Sequence, residues 1–187
     1  MIVNFLFRNR IPLLLAFFIY VLSFSIGMFL SYNSEIHQPI PESFYDMNPY
    51  RIKGNPDSPL FFLKYNLLVI TILIVGGFSL GILTLLNLAF NGLIFGVVIG
   101  DFLNKISISK ILILTLPHGI FELPATLLAG TVGFLIAKSF YNYLRFGEEP
   151  LKKQEQKDIF ALSTFSIVLI VVAAIVEAKI TTQFIGG

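Results

Sequence analysis

Long apolar blocks separated by polar stretches dominate the pattern of hydrophobic and polar positions along this chain. The blocks cover residues 11–30, 63–86, 88–103, 111–141 and 159–178. Within each block apolar residues follow one another instead of alternating with polar ones, and a helix needs about 20 such residues to cross a bilayer. The pattern predicts a single all-α domain over residues 1–187, a polytopic integral membrane helical bundle with about five transmembrane helices.

The first block follows two arginines, Arg8 and Arg10, which gives it the basic start of a signal peptide. It is longer than the apolar core of a typical signal peptide, however, and no small-residue cleavage site ends it. We therefore predict a retained transmembrane helix. The polar loop after it, residues 31–62, contains five prolines, which rule out a long helix there.

The fourth block, residues 111–141, is too long for one straight crossing. At 1.5 Å per residue it would extend roughly 46 Å, against a hydrocarbon core of about 30 Å. The block should therefore tilt, protrude or break. Pro117, Gly119 and Pro124 lie in its first half, and proline within a helix removes a backbone hydrogen bond. We predict that this helix is broken near 117–124.

The orientation rests on a small difference in charge. With five crossings and the N-terminus in the cytoplasm, seven of the 13 basic residues lie inside and six outside. This small excess inside agrees with the positive-inside rule. A re-entrant hairpin made from the third block and the start of the fourth would instead place Lys105 and Lys110 at membrane depth, which is unfavourable. We expect a multi-pass protein of the cell membrane with its N-terminus cytoplasmic and its C-terminus outside.

Composition agrees with a lipid environment and excludes several functions. The chain is 56% hydrophobic and 13% charged, with a mean hydropathy of +0.83, whereas a soluble domain is about a quarter charged. The formal net charge of +2 is too small to indicate nucleic-acid binding. Because the chain has no cysteine, disulfides, thiolate metal sites and a cysteine nucleophile are excluded.

Small residues recur every four positions in four of the blocks. They are Ser23, Gly27 and Ser31 in the first block, Gly77 and Gly81 in the second, Gly92, Gly96 and Gly100 in the third, with Asn91 beside them, and Ala125, Ala129, Gly133 and Ala137 in the fourth. In lipid, such stripes let helix backbones approach closely, and this contact drives helix association. Two uses stay open: packing within one chain, or a contribution to the interface of a homodimer.

The segment LPHGIFELPA, residues 116–125, places a histidine and a glutamate between Pro117 and Pro124 inside an apolar block. His118 and Glu122 are four residues apart and share one face of a helix. A carboxylate near the bilayer centre costs roughly 2.5–3.5 kcal/mol, so it should face protein or water. Four roles stay open: a structural pair that holds a kink, a proton or ion site, a notch for a partner, and a metal site.

Two ligands are fewer than the three that a zinc site needs, and the sequence carries no motif for catalysis. It has no HExxH segment, no serine in a recognisable nucleophile motif and no glycine-rich loop suited to a phosphate. We therefore predict a protein without enzymatic activity, cofactor or metal ion.

The segments NLAFNGLIFG (87–96) and LPHGIFELPATLLAG (116–130) resemble the stage II sporulation protein M family. The specific part is the pattern His-Gly-x-x-Glu-x-Pro-Ala, which begins at His118 and ends at Ala125, and the Asn91–Gly96 segment supports it. The resemblance implies a multi-pass membrane protein with no established enzymatic activity. In endospore formers the namesake works, as a membrane scaffold, with two partner proteins that degrade septal cell wall.

Together these observations predict a non-catalytic scaffold or assembly factor for a membrane complex. The expected partners are membrane lipid, further copies of this chain in a homodimer or other homo-oligomer, and other membrane or cell-envelope proteins, but no nucleic acid. The alternative is a transporter or channel for an ion or small solute that uses the broken fourth helix, since discontinuous helices form ion and solute sites in transporters.

Overall fold

The computed structural model describes residues 8–33 and 59–181. The long helices in this part of the chain are α1 (Arg10–Tyr32), α2 (Pro59–Val75), α3 (Ile82–Lys105), α4 (Ile108–Phe146) and α5 (Lys153–Val176). By length and composition, five helical stretches of the described chain are suited to crossing a membrane. The predicted all-α, multi-pass membrane bundle is thus confirmed. Most of the predicted polar loop, residues 31–62, lies outside the described residues.

The helices depart from the apolar blocks most clearly between α2 and α3. A short 3₁₀ turn, Gly76–Ser79, follows α2, and Leu80 and Gly81 then adopt left-handed conformations with φ of 55° and 82°. The connection is almost entirely apolar, so hydropathy alone joins it to its neighbours. Glycine adopts a positive φ without steric cost, and Gly81 therefore helps to reverse the chain in a turn whose one polar side chain is Ser79.

The break predicted near 117–124 is not shown. α4 continues as one helix from Ile108 to Phe146, with Pro117 and Pro124 inside it. Each proline removes one backbone donor, but the hydrogen bonds on either side persist, and membrane helices tolerate proline for this reason. The 39 residues of α4 extend about 58 Å at 1.5 Å per residue. The fourth block was predicted to break because it is too long for one crossing. Instead, α4 stays continuous and is longer than the bilayer core is thick.

The C-terminal half of α4 is the centre of the bundle. From Ala125 to Ser139 most of its residues are buried, and its core residues pack with side chains from the four other helices. These are Ala16 of α1, Ile70 and Leu73 of α2, Leu88 of α3 and Ile170 of α5. The N-terminal half is different, because between Ile108 and Pro124 only Ile111 is buried.

A polar cluster joins the start of α1 to the start of α5. Asp158 is only 2% exposed and accepts hydrogen bonds from both sides of the Arg8 guanidinium. It also accepts them from Asn9 and Gln154, each at 3.0 Å. We call this end of the bundle the Arg8 end. Residues 8–9 and the start of α5 therefore lie at the same end, as an arrangement of five crossings requires, while the cytoplasmic placement of that end stays a prediction.

Candidate functional site in the membrane interior

The glycine stripe of α3 packs against α1 of the same chain. A Cβ on Gly92 would lie 2.6 Å from the carbonyl oxygen of Tyr20, and one on Gly100 would lie 2.6 Å from that of Met28. Gly96 approaches the carbonyl of Phe24 more closely still. Because no real Cβ fits at such distances, only glycine allows this contact. Of the two uses left open for this stripe, the structure shows packing within the chain.

The small residues of α4 are also covered within the chain. Ala125 and Ala129 are fully buried, and Gly133 lies directly against the backbone of Leu73 and the side chain of Thr84. The hydroxyl of Thr84 donates to the Leu73 carbonyl at 2.8 Å. These contacts hold α4 against the junction of α2 and α3, where glycine and threonine bring the backbones together.

Asn91 satisfies its side chain locally. Its amide donates to the backbone carbonyl of Asn87 at 2.8 Å and to the side-chain oxygen of Asn87 at 3.1 Å. Both residues lie inside α3, one turn apart. Asn91 therefore stands beside the glycine stripe, and these hydrogen bonds stay within its own helix.

Glu122, the central residue of the predicted motif, is joined to a residue that the sequence analysis did not single out. The side-chain amide of Asn66 in α2 donates a hydrogen bond to the Glu122 carboxylate in α4. Asn66 could have been recognised as a lone amide inside an apolar block, since polar side chains in membrane helices usually face protein partners. Its position in the sequence does not show which helix it contacts.

The contact lies near the middle of the bundle along its length. Ala125, one turn from Glu122, accepts a hydrogen bond of 2.7 Å from Ser166, and Ser166 is close to the midpoint of α5. Asn66 is likewise close to the midpoint of α2. Both residues of the pair are partly buried. The structure thus places a carboxylate and an amide at mid-depth in a helical membrane bundle.

The rest of the predicted motif surrounds this contact. His118 is partly buried and lies one turn before Glu122 on α4. Tyr20 of α1 packs against the core cluster that includes Ala125, one turn after Glu122. Gly119 has open space beside it, because a Cβ there would meet no atom of the described residues within 4 Å. Pro117 is partly buried and Pro124 is exposed. The motif therefore combines a polar contact with an open notch, which we define as the space beside Gly119.

This arrangement is suited to binding and packing. In the described ranges, no group of three or more His, Cys, Asp or Glu residues is placed to hold a metal ion. The site offers one carboxylate and one amide from two different helices. Such a set can hold helices together by hydrogen bonds, and it can hold a small positively charged ligand at the carboxylate.

Comparisons with known proteins give matches over most of the chain. The family model described as "Stage II sporulation protein M" matches residues 15–182. A protein of Methanocaldococcus jannaschii, described as uncharacterized, is 38% identical over 180 residues, which cover 93% of this chain and 96% of that protein. A second one is 30% identical over 179 residues, 94% of this chain and 80% of its own length. No solved structure matches. The predicted resemblance is confirmed, and the chain belongs to the stage II sporulation protein M family.

Proposed function

We propose that this protein is a non-catalytic membrane scaffold that assembles by pairing the N-terminal half of α4 with the same half-helix of a second copy. The observation that carries the proposal is the uncovered surface of this half-helix. Ile113, Leu116, Ile120 and Leu123 are 47%, 58%, 60% and 39% exposed, although the other half of α4 is the buried centre of the bundle. We call these four residues the α4 seam.

The spacing of the α4 seam fits a helix–helix contact. Its residues follow at intervals of three, four and three positions, the repeat with which apolar side chains of one helix fit between those of another. The seam carries no charge and can interdigitate with an identical seam across a two-fold axis. A second copy is therefore the partner whose shape and chemistry match it directly.

The glycine stripes support the same choice. Close backbone contact at small residues is a strong means of association in lipid, but Gly92, Gly96 and Gly100 are already packed against α1. Gly133 is likewise covered by Leu73 and Thr84. Since these stripes serve the fold of one chain, a second copy must bind elsewhere, and we assign that contact to the α4 seam.

Cysteine cross-linking in membranes tests this proposal, and the native chain is suited to it because it contains no cysteine. Leu116→Cys should form a disulfide-linked dimer on mild oxidation. Leu22→Cys in α1 is the matched control, because Leu22 is also a lipid-accessible leucine at 64% exposure. Dimers from Leu116→Cys but not from Leu22→Cys would support the scaffold. Equal cross-linking of the two, or none along the seam, would contradict it.

Transport of an ion or small solute is a second candidate function, and the Asn66–Glu122 contact is the observation that favours it. Intramembrane ionisable residues commonly mark ion pathways. Flux into proteoliposomes would be compared between the wild type and Glu122→Gln. Flux that is lost in a folded Glu122→Gln variant would support transport, and absence of flux in both would leave the scaffold as the function.

A further inference from the structure

Among the described residues, no lysine or arginine forms an ion pair with the Glu122 carboxylate. It lies at mid-depth in the bundle and receives a hydrogen bond from the neutral amide of Asn66. An ionised carboxylate in lipid is unfavourable unless it is paired or hydrated. In the described part of the chain, the ion pairs of lysine and arginine are made with Asp101, Glu148 and Asp158. None of these pairs includes Glu122.

The helices around Glu122 offer few charged side chains at its level. α1 contributes Tyr20, and α2 contributes Lys64, which is exposed and two positions from Asn66, on the opposite side of the helix. α3 and α5 carry acidic and basic residues only towards their ends. These are Asp101 and Lys105 in α3, and Lys153, Glu155, Lys157 and Asp158 in α5. On α4 itself, His118 is the titratable group within one turn.

The notch beside Gly119 gives a small ligand room to reach the carboxylate. Gly119 lies three residues before Glu122, so the two share a side of α4. Within residues 8–33 and 59–181, no atom lies within 4 Å of the position of a Gly119 Cβ, and Glu122 is itself partly exposed. The centre of the α4 seam lies about 140° from Glu122 around the helix at 3.6 residues per turn. Gly119 lies between the two, next to Leu116 and Leu123 of the seam, so a partner on the seam would border the notch without covering Glu122.

We propose that Glu122 binds one exchangeable monovalent cation, a proton or an alkali ion, through the notch beside Gly119. An alkali ion would have oxygen ligands in the Glu122 carboxylate, the ligand type that hard cations prefer, beside the Asn66 amide that donates to the same carboxylate. A proton would neutralise the same carboxylate. The site depends neither on dimer formation through the α4 seam nor on movement of the ion across the bilayer.

The test is modification of Glu122 by dicyclohexylcarbodiimide, an apolar reagent that reacts with protonated carboxyls. The carboxyl proton moves to a carbodiimide nitrogen and a carboxyl oxygen bonds to the central carbon, so the adduct carries the full mass of the reagent. Wild-type protein in proteoliposomes would be treated in choline buffer across a range of pH, with and without NaCl or KCl. Peptide mass spectrometry then measures the adduct on Glu122, with Glu122→Gln as the negative control.

We expect an adduct on Glu122 in choline buffer. A several-fold decrease on addition of an alkali salt identifies an alkali ion as the ligand. A decrease with rising pH that salt does not change identifies a proton. An absence of adduct under every condition, or an adduct that neither pH nor salt alters, would overturn the proposal.

Two variants test whether the reagent reaches Glu122 through the notch and whether His118 balances the charge of its carboxylate. Gly119→Leu adds a side chain to the notch, and its Cβ meets no described atom within 4 Å, so it should slow modification several-fold while thermal unfolding stays unchanged. Unchanged modification would refute the notch as the route. In His118→Gln, modification of Glu122 should keep its dependence on salt or pH. If the adduct appears only in this variant, His118 balances the carboxylate and no exchangeable cation is needed.

Discussion

Asn66 in α2 donates a hydrogen bond to Glu122 in α4, and this contact joins two helices across 56 positions of sequence. It ties the most polar segment of the fourth apolar block to the one amide near the midpoint of α2. A hydrogen bond between membrane helices contributes modestly, about 0.6 kcal/mol on average and up to about 2 kcal/mol. Removing one partner also leaves the other without its bond in a poorly hydrated place.

A double-mutant cycle on this pair should therefore show coupling. We expect Asn66→Leu and Glu122→Leu each to lower the free energy of unfolding by about 1–3 kcal/mol. The double variant should lose less than the sum of the two, because it leaves no polar group alone. Unfolding in mild detergent, followed by circular dichroism, measures all four proteins. Strict additivity would show that the contact does not contribute to stability.

Replacement of Gly96 should separate α1 from α3. A Cβ at this position would collide with the backbone of Phe24 and lie 2.8 Å from the backbone nitrogen of Met28. Gly96→Ala should therefore destabilise the protein by about 1–3 kcal/mol, the usual cost of overpacking, and expose α1 to proteolysis. Gly119→Ala is the matched control because it meets no atom within 4 Å. Equal stability of the two variants would refute the close packing at Gly96.

Loss of the Asp158 carboxylate should loosen the start of α1. Asp158→Ala removes the acceptor shared by Arg8, Asn9 and Gln154 and leaves the buried Asn9 amide without this bond. We expect faster amide hydrogen exchange in the first turns of α1 and at the start of α5, measured by mass spectrometry. Glu149→Ala is the control, because Glu149 is exposed at the same end of the bundle. Similar exchange in both variants would speak against this link.

Ser139 should prove important for the connection between α4 and α5. Its buried hydroxyl accepts a hydrogen bond of 2.6 Å from the backbone of Leu151 and donates one of 3.2 Å to Glu155. Ser139→Ala leaves the Leu151 donor without this partner, so a loss of about 1–3 kcal/mol is expected. Ser163→Ala serves as a comparison, since Ser163 lies on α5 and is only partly buried. Thermal unfolding of the two variants decides the matter, and an unaffected Ser139→Ala would contradict this role.

The membrane helices and one packing face could be predicted from the sequence, because hydropathy and glycine spacing indicate them directly. Apolar runs predicted the membrane helices, and the spacing of Gly92, Gly96 and Gly100 predicted a packing face. The turn at 76–81 was missed because it contains no proline and no charged residue, so the apolar block continues through it. The predicted break at Pro117 and Pro124 was wrong because proline removes one hydrogen bond at a time, and the remaining bonds keep α4 continuous.

The site was predictable on one helix only. His118, Glu122 and Gly119 stand out because polar residues and glycine interrupt an apolar block, and four-residue spacing places the first two on one face. Asn66 and Tyr20 come from α2 and α1, and no local pattern shows that these helices meet α4 at this depth. Such pairings depend on how the helices pack, which is settled by close contacts such as that of Gly133 with Leu73.

The close packing of α1 on α3 sets an order for assembly in the membrane. The two helices are not consecutive, because α2 lies between them in sequence, and a growing chain enters the bilayer from its N-terminus. α1 must therefore remain in lipid without its glycine-lined partner until residue 105 has been inserted. The contact of Arg8 with Asp158 forms later still, when the start of α5 reaches the Arg8 end. The first helix to enter the membrane is thus among the last to be fixed, and its apolar length must hold it there alone in the interval.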